Sequence, residues 1–204
     1  MTTRLAAVCV ITIALAASSV SSQSSTASQT PKPAPTTKPA AQTPKVGNVP
    51  PPTTDAEKIK SALSAAPAAI AKDATVVDMP SMKVLKQGTN GWTCIPDAPS
   101  PGVDPMCLDK NGMEWASAWM NHKDPPKDKM ALGYMLMGGS DASNTDPFAT
   151  EPKAGEKWVD TGPHVMILNI ADHFAGYPTT ATNTKVPYVM FSGTPYAHLM
   201  VPIK

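Results

Sequence analysis

From residue 54 onward, apolar side chains recur first at the spacing of a helix and then at the spacing of strands, and this change of rhythm predicts the order of elements. Thr54 and Glu57 stand where a capping box satisfies the first free amides of a helix, and Ile59, Leu63 and Ala66 follow on one helical face. Pro67 breaks that helix and suits the first turn of a second short one ending near Lys72. Strands are expected over 75–77 and 83–86. Asn90-Gly91 then predicts a hairpin that returns the chain through Trp92-Thr93-Cys94. A proline-rich loop over 95–106 leads to a helix over 108–121, with Met113, Ala116, Trp119 and Met120 on its apolar face. Strand patterns recur over 131–137, 158–159, 164–170, 188–191 and 198–203, and a polar loop occupies 138–147. Strands joined by turns rather than crossover helices pair antiparallel. The expected class is α+β: a largely antiparallel sheet with short helices in the N-terminal half.

The first 54 residues break this pattern. Met1-Thr2-Thr3-Arg4, an apolar run from Leu5 to Ala17 and Ser-rich sequence after it follow the order of a secretory signal peptide, expected at 1–17. The run is short of the roughly 20 apolar residues that cross a bilayer, so no transmembrane anchor is expected. Ser, Thr, Gln, Ala and Pro dominate 18–53, a composition that buries too little apolar surface to order itself and is expected to be a disordered spacer. A single folded domain over 54–204 completes the organisation, exported to the periplasm or the extracellular space. There Cys94 and Cys107, the two cysteines outside the signal peptide, are expected to pair in one disulfide.

Charge narrows the partners. Residues 1–54 hold four basic side chains and no acidic one, and the rest of the chain holds 13 lysines against 16 acids, a net −3. Arg4 is the only arginine and leaves with the signal peptide. Without arginine the domain lacks the bidentate contacts used on phosphate and guanine, which argues against nucleic acid as a partner.

Candidate chemistry centres on two His-x-Met triplets, His164-Val165-Met166 and His198-Leu199-Met200. Alternation in a strand puts His164 and Met166 on one side, and His198 and Met200 likewise. Imidazole with soft thioether suits copper, Cu(I) above all. Eleven methionines remain after the initiator, among them Met135 and Met137, expected to share a strand face. The alternative is that the methionines are core and the histidines satisfied by hydrogen bonds. The loop residues Ser140, Asp141, Ser143, Asn144 and Asp146 form an oxygen-rich candidate ligand site, although they do not follow the calcium-loop pattern and also suit side chains that cap their own turn. A hydrolase using Ser140 with a histidine is a second reading, without a Gly-x-Ser-x-Gly elbow to order it. A structural or surface-interaction protein with no small ligand is a third. His122 and His173 are expected to be solvated.

The two triplets and their order resemble those of periplasmic copper chaperones of the cupredoxin-like class, a resemblance that implies copper ligation by His164, Met166, His198 and Met200. The methionine those proteins carry between the two histidines would fall near Gly176, where this chain has none. The segments Asn90-Gly91-Trp92-Thr93-Cys94, Gly139-Ser140-Asp141-Ala142-Ser143-Asn144-Thr145-Asp146-Pro147, Gly162-Pro163-His164-Val165-Met166 and Gly193-Thr194-Pro195-Tyr196-Ala197-His198-Leu199-Met200 resemble a type of exported bacterial protein, and imply no particular activity. The combined expectation is a non-catalytic envelope binding protein whose ligand is copper, with an envelope or surface partner as the other outcome.

Overall fold

The computed structural model describes residues 50–203. The expected signal peptide, and all but the end of the expected spacer, lie outside them. Helices α1 (Asp55–Leu63) and α2 (Ala68–Ala71) come first, then strands β1 (Thr75–Asp78), β2 (Lys83–Lys86), β3 (Thr93–Ile95) and β4 (Met106–Leu108). Helix α3 (Lys110–Met120) follows, then β5 (Ala131–Met135), β6 (Gly139–Asp141), β7 (Val159–Thr161), β8 (His164–Leu168), β9 (Tyr188–Met190) and β10 (His198–Pro202). Eight strands form one sheet in the order β2-β1-β3-β4-β5-β8-β10-β9, and β6 and β7 form a separate two-stranded ribbon. The sheet is antiparallel except where β1 meets β3. Strand β10 lies between β8 and β9 although it follows both in the chain. Among the described residues no helix is long and apolar enough to cross a membrane.

Local chemistry explains the starts of the helices. The Thr54 side chain accepts from the Glu57 amide at 3.2 Å while the Glu57 carboxylate accepts from the Thr54 amide at 3.0 Å, closing the expected capping box. Bonds to the carboxylate from the Thr54 and Thr53 amides hold Glu57 at about 2, well below the usual range. Helix α3 is capped by Asp109, whose Oδ1 accepts from the Gly112 amide at 2.7 Å. Its Oδ2 accepts from the Leu132 amide at 2.9 Å, so one carboxylate both starts the helix and fastens it to β5.

Period-two alternation assigns the two faces of the sheet. Val76, Cys94, Cys107 and Tyr134 lie on one face, against Ala62 of α1 and Ala65 and Ala66 just after it. Val77, Ile95, Leu108 and Met135 lie on the other, against Met113 and Ala116 of α3. Helices α1 and α3 therefore cover opposite faces. Cys94 and Cys107 are directly opposed on β3 and β4 and form the expected disulfide, with both side chains fully buried. Closing a loop with a sequence separation of 13 stabilises the fold by roughly 3 kcal/mol in the chain-entropy treatment.

Three local expectations change. Asn90-Gly91 makes a turn but no hairpin: β2 and β3 flank β1 on either side, and the loop crosses the end of β1 between them. Asn90 fastens that crossing, its Nδ2 donating to the Ile70 carbonyl at 2.7 Å and its Oδ1 accepting from the Trp92 amide at 3.1 Å. Gly139, Ser140 and Asp141, expected in a loop, are a strand because β7 supplies a partner ladder. Met137 leaves the strand that Met135 ends and is half exposed, so the two do not share a strand face.

Candidate functional site

The α3-covered face of β5, β8, β10 and β9 collects the residues of the His-x-Met triplets. In the β8–β10 ladder Met166 stands directly opposite Met200, and His164 opposite Pro202. His198 lies two residues from Met200, at the other end of the methionine pair. Their alternate neighbours Ile167, Leu199 and Val201 belong to a different apolar cluster with Phe174 and Val189, so the histidines and methionines share one side. All four candidates are buried, His164 at 2% and His198 at 3% exposure. The ladders add two methionines that the sequence reading did not assign: Met135 is opposite His164 across β5–β8, and Met190 is opposite His198 across β10–β9. Room for Met166 comes from Gly133, where a Cβ would lie 2.7 Å from the Met166 methyl carbon and 2.8 Å from Leu108 Cδ2.

Both imidazoles are held the same way. His164 Nδ1 lies 2.8 Å from the Gly162 carbonyl and His198 Nδ1 lies 3.0 Å from the Tyr196 carbonyl, in each case two residues back. A carbonyl only accepts, so each Nδ1 carries the hydrogen and each Nε2 keeps its lone pair. His164 Nε2 is buried with no hydrogen-bond partner. His198 is flanked by Trp115 of α3, ring centroids 5.5 Å apart, and by Phe191 at 5.4 Å. Burial lowers the pKa of both rings; for His198 it reaches about 4, with the neighbouring His164 adding to the effect. Burial thus favours the neutral form of both rings, the form that ligates metals.

Among the described residues no group of three or more His, Cys, Asp or Glu side chains converges as a metal cluster. A cation on this face would have to be held largely by thioethers, which favours soft ions over Zn²⁺, Ca²⁺ or Mg²⁺. Tyr188, opposite Met200 on β9, has a buried hydroxyl without a partner, and burial and then the charge of Asp141 push it well above its ordinary range. Asp141 is itself raised to about 6 by burial.

The oxygen-rich loop commits its side chains to backbone, its own and that of neighbouring segments. Ser143 Oγ accepts from the amides of Thr145 and Asp146 at 3.1 and 3.0 Å, Asp146 Oδ1 accepts from the Phe148 amide at 3.0 Å, and Asn144 Nδ2 donates to the Thr179 carbonyl at 2.9 Å. Ser140 Oγ accepts from the Gly102 amide at 2.7 Å, and among the described residues no histidine is hydrogen bonded to it. His122 and His173 are exposed as expected, His122 stacking on Phe148 at 4.2 Å. A surface hollow of about 490 Å³ near Phe174, Tyr177 and Thr194 contains none of the candidate residues. No protein-family model, curated protein or solved structure matches this chain.

Proposed function

We propose that this is an exported, non-catalytic α+β binding protein of the cell envelope that holds copper as Cu(I) through His164, Met166, His198 and Met200. The observation that carries the reading is the His164 ring. Its Nδ1 hydrogen is committed to the Gly162 carbonyl while its Nε2 lone pair is buried, unpaired, on a face lined by thioethers. Leaving a buried polar atom unpaired costs about 1–3 kcal/mol, and a soft cation bonded to Nε2 would remove that cost. An outer-shell carbonyl on the opposite ring nitrogen is also what orients a histidine ligand for metal. Export follows from the signal-peptide pattern at the N-terminus and is consistent with a disulfide that persists in an oxidising compartment.

The test is a competition titration of the full chain, disulfide intact, with Cu(I) buffered by a bicinchoninate chelator. The wild type is expected to withdraw copper from the chelator. The His164→Ala, His198→Ala double variant is expected to bind at least about a hundredfold more weakly, at or beyond the upper end of what losing one outer-shell partner costs. Met166→Leu with Met200→Leu, which keeps the core volume, should weaken binding without unfolding the sheet. Equal binding by the wild type and both double variants would reduce the histidines and methionines to core.

A further inference from the structure

The ladder joining β8 to β10 has a local two-fold axis through the Met166–Met200 pair. Two residues toward the N-terminus from either methionine stands a histidine, and two further stands the carbonyl that holds it, Gly162 for His164 and Tyr196 for His198. The axis extends to the flanking strands, because Met135 on β5 opposes His164 as Met190 on β9 opposes His198. Directly opposed residues have Cβ atoms about 4.5–5.5 Å apart. Each imidazole therefore has one thioether beside it on the outer strand and another two positions along its own strand.

The Cα atoms of the two histidines are displaced from the axis in opposite directions by about 7 Å each along the strands. Each ring is also anchored through Nδ1 to a carbonyl on the side away from the axis. A single ion at the axis would have to draw both rings off those anchors, whereas two ions would leave both in place. We infer that this face binds two Cu(I) ions in related sites, one held by His164, Met166 and Met135 and the other by His198, Met200 and Met190. The inference rests on the copper reading above and adds to it the stoichiometry and two ligands, Met135 and Met190. All six side chains are at most 8% exposed, so both sites are dry, and neutral thioether and imidazole donors suit a monovalent soft ion there.

The experiment is a stoichiometric Cu(I) titration of the full chain against bicinchoninate, with Met135→Leu and Met190→Leu as variants and copper X-ray absorption on the loaded wild type. The expected result is two equivalents for the wild type, one for each variant, and an average of one imidazole nitrogen to two sulfurs per copper. One equivalent, unchanged in both variants and with two nitrogens to two sulfurs, would overturn the two-site inference and leave the copper reading standing. No uptake by the wild type would overturn both. Should a variant fail to melt cooperatively, the nitrogen-to-sulfur ratio in the wild type decides alone.

Discussion

Gly88→Ala is expected to destabilise the domain by on the order of 3 kcal/mol, at the upper end of overpacking costs, because the added methyl meets backbone rather than side chains. A Cβ at position 88 falls deep inside van der Waals contact with the Ala74 carbonyl carbon, the Thr75 amide nitrogen and the Asp73 carbonyl oxygen. No rotamer change relieves that overlap. The 87–92 crossing must lift away, and it is tied down there by the Gly88 amide on Thr75 Oγ1 at 3.1 Å and the Thr89 amide on the Asp73 carbonyl at 2.8 Å. For a domain of this size the melting temperature should fall by about 6–12 °C. A fall of less than about 2 °C in a thermal melt would mean that the loop does not lie on the start of β1.

The second large effect is on acid stability and is partly masked in the wild type. His198 titrates at about 4 when folded against 6.5 for an ordinary histidine, so between those values the unfolded chain binds a proton that the folded chain refuses. Its contribution is complete above pH 6.5 and is lost as the pH falls toward 4, on the order of 3 kcal/mol in all. His164, also lowered by burial, acts in the same direction. Asp141 acts oppositely: folded at about 6 against 3.8 unfolded, it takes up its proton first in the folded chain and adds stability as the pH falls from 6 to 3.8, by a similar amount. In the wild type Asp141 offsets a large part of the loss that the histidines cause, about as much as His198 alone contributes. Asp141→Asn should therefore expose a steep loss of stability below pH 6.5, and His198→Gln should flatten or reverse it. Urea denaturation from pH 7 to 4, each variant referenced to its own value at pH 7, reads the difference. Superimposable profiles for all three proteins would show that neither group titrates in this window.

Much of the fold is legible because its signals are local. The Thr54–Glu57 box, the apolar stripe of α3 and the alternation in 131–135 and 164–168 each depend on residues within a few positions of one another. What the sequence hides is pairing between distant segments. Asn90-Gly91 is a strong hairpin signal, yet β3 gains a place on the far side of β1, a choice made by the sheet and not by the turn. Gly139, Ser140 and Asp141 have little strand propensity and become β6 only because β7 lies alongside. The site divides in the same way. The His-x-Met repeats place histidine and methionine on a common side by counting, but Met135 and Met190 become neighbours of the histidines only through ladders that join non-consecutive strands. Even so, nothing in the chain marks Met135 over Met137 before the strand end is known.

The position of β10 has a consequence for biosynthesis. Strands β8 and β9 are made first but do not pair with each other; both must wait for residues 198–202 to fill the gap between them. Until that segment emerges, β8 carries half of the histidine–methionine set with an open edge, and β9 has no partner in the sheet. A nascent chain thus keeps this half of the sheet unassembled until residues 198–202 are available. The face that collects both histidines and their methionines is completed only when residues 198–202 join the strands that carry its other members.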